Sequence, residues 1–86
     1  MRVTIIPADG TVIKDNVAYT ELTFTLNEPN IHAVQWYDTF GEVELMDARG
    51  RIVENRAITD LSPYQSALTA WQDRHDNPPP PIPQPQ

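Results

Sequence analysis

The sequence predicts a small α+β domain: an antiparallel β-meander covered on one face by a single C-terminal amphipathic helix and followed by a polyproline arm. Three observations support this. Short β-branched runs separated by turn sequences fill the first two thirds of the chain. One stretch of helical periodicity follows them, and the last nine residues contain six prolines. The predicted domain comprises residues 1–76 and the arm residues 77–86.

The first strands are predicted from β-branched runs and the turns between them. Residues 3–6 form such a run and end at a proline. Residues 11–14 and 17–20 flank Asp15 and Asn16, two residue types that tolerate the left-handed conformation of a two-residue hairpin. The first half of the chain is therefore expected to begin with a strand and a hairpin.

The next segment leaves two alternatives open. Leu22, Phe24 and Leu26 alternate with threonines, which is the period of a half-buried strand. Residues 27–30 then break the pattern around a proline. The segment is either a strand or an extended loop that lies on the core.

Three short strands with two similar turns are predicted in the middle of the chain. The strands cover residues 31–37, 42–46 and 51–54. The turns at 38–41 and 47–50 each begin with Asp and end with Gly. In such a turn the Asp side chain accepts hydrogen bonds from turn amides and the Gly adopts a positive φ. The expected product is an antiparallel meander with one buried and one wet face.

An amphipathic helix of about 13 residues is predicted to cover that meander. Ser62 is the expected N-cap, with Pro63 at the first helical position and Gln65 completing a capping box. Apolar residues then recur at three- and four-residue spacing: Leu61, Tyr64, Ala67, Leu68 and Trp71. Trp71 is interpreted as a core residue, and the helix is expected to end at 75–77 because the proline run cannot continue it.

Size and charge restrict the class of protein. In a domain of this size the hydrophobic core rarely contributes more than about 3–5 kcal/mol to the stability. The chain has no cysteine, and its two histidines lie far apart, so assembly with other subunits, including a possible homo-oligomer, is the remaining source of extra stability. The formal charge of −6 disfavours nucleic acid and membranes as partners. The amino terminus has no signal-like apolar run, so the chain is expected to be made in a cytoplasm.

Several acidic residues and one histidine are candidates for metal binding or acid–base catalysis. Glu42 and Glu44 share one strand face between Asp38 and Asp47, but the spacing matches no cation-binding loop. They are interpreted as a solvated face flanked by turn-forming aspartates. His32 has no nucleophile motif or phosphate-binding loop beside it. The sequence therefore predicts a protein that is not an enzyme and has no cofactor or metal site.

Partner-binding residues are predicted at two places. Adjacent strand residues face opposite ways, so one ring of Trp36 and Tyr37 is expected on the outer face, either as a contact or under a neighbouring loop. The arm contains overlapping P-x-x-P spacings and is either an ordered docking arm or a tether. The candidate partner-binding residues are Trp36, Tyr37, Pro78, Pro79, Pro80, Pro81, Ile82 and Pro83.

The chain also resembles a known group of proteins. The residues concerned are IHAVQWY at 31–37, GEVE at 41–44, YQ at 64–65 and AWQ at 70–72, before a proline-rich end. They are similar to short proteins encoded beside tail genes of tailed bacteriophages. The resemblance implies a virion component or a tail assembly factor, and it implies no active site.

Three functional hypotheses follow. The first is a non-enzymatic structural or adaptor protein of a phage virion, in the tail, fibre or baseplate, whose partners are other phage structural proteins. The second is an assembly chaperone that is absent from the mature particle. The third is an acidic inhibitor that mimics nucleic acid against a host enzyme; the six basic residues among twelve acidic ones argue against this hypothesis.

Overall fold

The computed structural model describes residues 1–79. Six strands precede one α-helix: β1 (Arg2–Ile6), β2 (Thr11–Lys14), β3 (Val17–Tyr19), β4 (Ile31–Tyr37), β5 (Gly41–Met46), β6 (Ile52–Ile58) and α1 (Gln65–Asp76). Short 3-10 turns at Pro7–Asp9 and Ser62–Tyr64 lie before β2 and before α1. The sixth strand extends to Ile58, beyond the predicted end at residue 54.

All six strands belong to one antiparallel sheet in the order β3-β2-β1-β4-β5-β6. The sheet consists of two three-stranded meanders that meet where β1 pairs with β4, in a register that places Arg2 opposite Tyr37 and Ile5 opposite Val34. The predicted α+β class, a small antiparallel sheet covered by a C-terminal helix, is confirmed.

The core lies between one face of the sheet and α1. The inner face of the sheet contributes Val3, Ile5, Val12, Ile31, Val34, Trp36, Val43 and Leu45. The helix and the turn before it contribute Leu61, Tyr64, Ala67 and Trp71. Trp71 is only 6% exposed, and its Nε1 donates a hydrogen bond of 2.9 Å to the carbonyl oxygen of Val17. The interpretation of Trp71 as a core residue is confirmed.

The segment 22–26 is an extended loop, which decides between the two alternatives predicted for it. The Leu22 amide donates to the carbonyl oxygen of Gly10, and the Thr25 amide donates to Oγ of Ser66 on the helix. Its backbone groups are thus bonded to a turn and to a helix side chain instead of a neighbouring strand. The alternating apolar side chains still pack against the core. The periodicity therefore predicted correctly that these side chains are buried, but it did not show whether the segment pairs with a strand.

Two of the predicted turns have the expected geometry. Residues 15 and 16 both have positive φ, as a two-residue hairpin requires. In the turn after β5, Oδ1 of Asp47 accepts hydrogen bonds from the amides of Arg49 and Arg51 at 2.9 and 3.0 Å. Gly50 closes this turn with a φ of +79°. Short polar side chains and one glycine are sufficient to specify both turns locally.

The turn between β4 and β5 differs from its prediction. Asp38 itself has the positive φ, +95°, and its carboxylate accepts a hydrogen bond of 2.7 Å from the Met1 amino group instead of bonding the turn amides. Gly41 has no positive φ; it is needed because a Cβ there would overlap the carbonyl oxygen of Gln35 and lie 3.0 Å from Cε3 of Trp36. The glycine thus serves close packing, and the turn prediction was wrong here.

The start of the helix also differs from its prediction. Neither the 3-10 turn nor α1 has a side-chain cap of the expected kind, and Oγ of Ser62 donates to Oδ2 of Asp60 at 2.8 Å. Oδ1 of Asp60 accepts from the Ser62 amide at 3.0 Å, which forms an Asx turn at the start of the 3-10 turn. These two hydrogen bonds lower the pKa of the Asp60 carboxyl. The capping-box prediction was wrong because a stronger acceptor lies two residues upstream.

Candidate functional site

The face of the sheet opposite α1, here called the outer face, carries polar and small side chains in rows across the strands. Thr4 lies opposite Gln35, and Gln35 lies opposite Glu42. On β5 the buried Val43 and Leu45 point to the core while Glu42 and its neighbour at position 44 are half-exposed on the outer face. The predicted division of this strand into a core side and a wet side is confirmed.

An exposed aromatic patch, made of Arg2, Tyr37 and Phe40, lies at the edge of the outer face where β4 turns into β5. Tyr37 is 38% exposed and Phe40 is 56% exposed, and their ring centroids are 5.3 Å apart. The guanidinium carbon of Arg2 lies 4.4 Å from the centroid of the Tyr37 ring, in a cation–π contact. The patch therefore presents two large rings and one positive charge together.

Hydrogen bonds hold the aromatic patch in one arrangement. Arg2 donates from one terminal nitrogen to the carbonyl oxygen of Trp36 at 3.1 Å and from the other to Oε1 of Gln35 at 3.0 Å. The same Gln35 oxygen accepts from Oγ1 of Thr4 at 2.7 Å. Because the long Arg2 side chain is held on Tyr37 by these bonds, little of its rotamer entropy remains to be lost on binding.

The structure separates the two aromatic residues that the sequence grouped together. Trp36 is 6% exposed, points to the core and lies opposite Gly41, whereas Tyr37 is exposed. The prediction that one ring of the pair lies outside is confirmed, and Trp36 is a core residue, so the candidate contact is Tyr37. The sequence analysis placed Phe40 in a turn and did not include it in the candidate site. A bulky aromatic residue in a turn, close in sequence to a tyrosine at a strand end, could have indicated an exposed aromatic pair.

The proline arm begins next to a groove between the helix and the sheet. The helix ends where the Asn77 amide donates to the carbonyl oxygen of Asp73 at 2.8 Å, and Pro78 and Pro79 are exposed. The groove has a volume of about 520 Å³, and its lining includes Met1, Leu68 and Asn77. The other arm residues predicted to bind, Pro80, Pro81, Ile82 and Pro83, lie outside the described residues.

The carboxylates considered for a cation site do not converge. Asp38 bonds to the amino terminus and Asp47 bonds to its own turn. Glu44 has its Oε2 3.9 Å from Nε2 of His32, and both side chains are partly exposed. Within residues 1–79, no three His, Cys, Asp or Glu side chains are grouped so that they could hold a metal ion. Nor is any described helix long and apolar enough to cross a membrane.

A second cleft, which the sequence did not predict, lies where β6 meets the turn before α1. It has a volume of about 400 Å³ and contains the ion pair between Arg56 and Glu28. Its other lining residues are both apolar and polar: Asn27, Ile31, Ile58, Thr59, Asp60, Pro63 and Tyr64. Both terminal nitrogens of Arg56 donate to the carboxylate of Glu28. This bidentate hydrogen bonding lowers the pKa of Glu28 and raises that of Arg56. Separation by 28 residues left no local signal for the pair.

The ion pair predicts a pH dependence of stability. A carboxyl whose pKa is lowered on folding stabilises the protein above its ordinary value of 4.5, and the stabilisation is lost as the pH falls through the folded-state pKa. Glu28→Gln should lower the melting temperature at about pH 7 by less than about 4 °C, because both side chains are partly exposed. At a pH below the lowered folded-state pKa of Glu28, where the carboxyl is protonated in the folded and unfolded protein, the variant and the parent should melt alike.

Thermal melting at several pH values tests this expectation. Glu42→Gln is the matched control, since Glu42 is partly exposed and forms no ion pair among the described residues. A difference between the parent and Glu28→Gln that did not change with pH would contradict the assignment of the stabilisation to the charged carboxylate.

Comparison with known proteins adds no assignment, since no protein-family model, curated protein or solved structure matches the chain. The fold and the site alone therefore define the class of protein. It is a small antiparallel α+β domain with one face covered by a helix and with an exposed aromatic patch that is held in place by the hydrogen bonds of Arg2. The functional proposal below therefore depends on this surface and on the sequence resemblance described above.

Proposed function

We propose that this chain is a non-enzymatic structural or adaptor protein of a bacteriophage virion, associated with the tail, fibre or baseplate. It binds neighbouring subunits through the aromatic patch and through the proline-rich arm. The observation that carries the proposal is the exposed Tyr37–Phe40 pair with Arg2 fixed over the Tyr37 ring.

The composition of the patch favours binding to another protein. Tyrosine and arginine are enriched among the residues that contribute most to protein–protein binding. Here Arg2 is already positioned by Gln35 and by the backbone of β4, so docking a partner on it costs little additional ordering. Two neighbouring rings, tilted by 32° to each other, give a contact area that one isolated exposed aromatic residue does not provide.

The arm supplies a second contact of a different kind. A polyproline segment is extended before it binds and has few backbone conformations to lose. Its first two residues, Pro78 and Pro79, are exposed directly after the helix end. The arm and the aromatic patch therefore allow one small domain to contact more than one neighbour or more than one site on a single neighbour.

The assignment to a phage particle is supported by the resemblance of residues 31–37, 41–44, 64–65 and 70–72 to short proteins encoded beside tail genes. It makes other phage structural proteins the partners and the virion the place of action. An assembly chaperone would use the same surface on the same class of partner. The two differ in whether the chain remains in the finished particle.

Mass spectrometry of purified virions is the direct test of the proposal. Presence of the chain at a fixed ratio to known tail proteins is expected. Absence from the particle, together with co-purification with a tail or fibre protein from infected cells, would replace the structural role with the chaperone role. Absence from both fractions would overturn the phage assignment.

A competition between variants tests the surface. Tyr37→Ala with Phe40→Ala should reduce incorporation on the order of tenfold against the parent, as loss of about 1.4 kcal/mol of binding would do. Val17→Ala is the control, because Val17 is about as exposed as Tyr37 but lies on the edge strand β3, outside the aromatic patch, so the variant should compete as well as the parent.

Truncation before Pro78 enters the same competition. It should also lose to the full-length chain, while its melting temperature stays close to that of the parent, because every described strand and helix lies before the cut. Equal incorporation of the truncated chain would reduce the arm to a tether, and equal incorporation of the aromatic variant would remove the patch from the binding surface.

A further inference from the structure

Strand β6 is the end strand of the sheet, and one of its two edges faces away from β5. It is seven residues long, and most of its side chains are exposed. Ile52 is 50% exposed and Val53 is 63% exposed, which places two large apolar side chains at this edge. Unpaired backbone amides and carbonyls along an exposed edge are a template for pairing with another strand.

The other edge of the sheet, strand β3, is partly covered by the helix. Strand β3 has only three residues, and the carbonyl oxygen of Val17 already accepts the Nε1 hydrogen of Trp71. Tyr19 packs against Trp71, with ring centroids 5.7 Å apart. The fold thus protects one edge with its helix, and within residues 1–79 no strand pairs with the free side of β6.

The sequence of β6 is complementary to itself in the antiparallel direction. The strand consists of Ile52, Val53, Glu54, Asn55, Arg56, Ala57 and Ile58. If two copies pair about a two-fold axis at Asn55, Glu54 of each lies opposite Arg56 of the other, on the same face of the combined sheet. Opposite charges directly across from each other stabilise a strand pair, and like charges destabilise it.

Both charged groups are able to make this contact. Arg56 uses its two terminal nitrogens for Glu28, which leaves its Nε hydrogen available. Glu54 forms no ion pair among the described residues. Charges on an edge strand normally oppose pairing, but here the two signs are placed so that self-pairing about Asn55 satisfies both.

We propose that this protein forms a homodimer in which β6 pairs with β6 of a second copy, antiparallel and centred on Asn55. The two sheets become one continuous sheet, with both helices on the same side because the two-fold axis is perpendicular to it. The bulge at Val53 lies toward one end of the strand and does not alter the three central pairs. This inference is independent of the proposed virion role.

Disulfide trapping tests the register directly, because the chain contains no cysteine. In Asn55→Cys the two introduced thiols face each other across the axis, where a Cα separation of about 4.5–5.5 Å suits a disulfide. In the control, Ala57→Cys, the thiols are displaced along the strands by about 13 Å. Under mild oxidation Asn55→Cys should form covalent dimer on the order of tenfold faster than Ala57→Cys.

Charge exchange provides the second measurement. Glu54→Arg places like charges opposite each other twice and should weaken the dimer on the order of tenfold in sedimentation equilibrium, because like charges directly opposite each other destabilise a strand pair. Adding Arg56→Glu restores the opposite pairs and should recover dimerisation; Glu28→Gln is included in this variant so that two carboxylates do not meet where Arg56 and Glu28 now form an ion pair. Circular dichroism checks that each variant is folded.

Two results would overturn the proposal. One is a parent protein that stays monomeric at high micromolar concentration, which would leave the edge to a strand of another protein. The other is Asn55→Cys cross-linking no faster than Ala57→Cys, which would show that the copies do not meet in this register.

Discussion

Replacing Trp71 with alanine is expected to unfold most of the protein at room temperature. The side chain is buried between the helix and the sheet, packs on Tyr19 and His75, and has the Lys14 ammonium 4.8 Å from its ring centroid. Removing a buried tryptophan costs about 3–5 kcal/mol. A single core of this size rarely supplies more than about 3–5 kcal/mol in total, so the loss is comparable with the whole stability.

Urea unfolding followed by circular dichroism measures this effect. Trp71→Phe is the matched control: it keeps an aromatic ring in the core but loses the hydrogen bond to Val17, and it should remain folded with a smaller loss of stability, about 1 kcal/mol for the hydrogen bond alone. A Trp71→Ala variant that melts like the parent would show that α1 is held on the sheet by other contacts.

Gly41→Ala is expected to have the second largest effect on stability. The added Cβ would overlap the carbonyl oxygen of Gln35, a backbone atom that cannot move without disturbing the pairing of β4 with β5. It would also press on the buried ring of Trp36. Overpacking of this kind costs about 1–3 kcal/mol, and a clash with backbone places the expected loss at the upper end.

Gly50→Ala separates this steric effect from backbone strain. Gly50 has a φ of +79° but open space around its Cα, so alanine there meets only the left-handed conformational cost of about 1–2 kcal/mol. Gly41→Ala should therefore lower the urea midpoint more than Gly50→Ala. The opposite order would show that the strands around Gly41 adjust to an extra methyl group.

The resulting sheet was predictable to the extent that its signals are local. The hairpin at 15–16, the turn closed by Asp47 and Gly50, and the helix stripe that ends in Trp71 all depend on residues within a few positions of each other. Residue propensity and periodicity predict such features because the hydrogen bonds of a turn and the spacing of a helix's apolar residues are both determined within the segment.

The exceptions each involve a contact with a distant residue. The Asp38 carboxylate bonds to the amino terminus instead of its own turn, and Gly41 is required by the position of Gln35 and Trp36 across the strand pair. The segment 22–26 has the alternation of a strand, but its amides bond to a turn and to the helix. A local sequence pattern predicts that a side chain is buried, but it does not identify the distant residues that cover it.

For the candidate site, too, the local features were predictable from the sequence and the long-range contacts were not. Alternation along β4 was enough to predict that one ring of Trp36 and Tyr37 lies outside, because successive strand residues face opposite ways. Which ring is exposed, and that Arg2 and Phe40 join it, depends on the pairing of β1 with β4, two strands separated by more than twenty residues. The open edge of β6 is likewise a property of strand order, since no short segment encodes which strand ends the sheet.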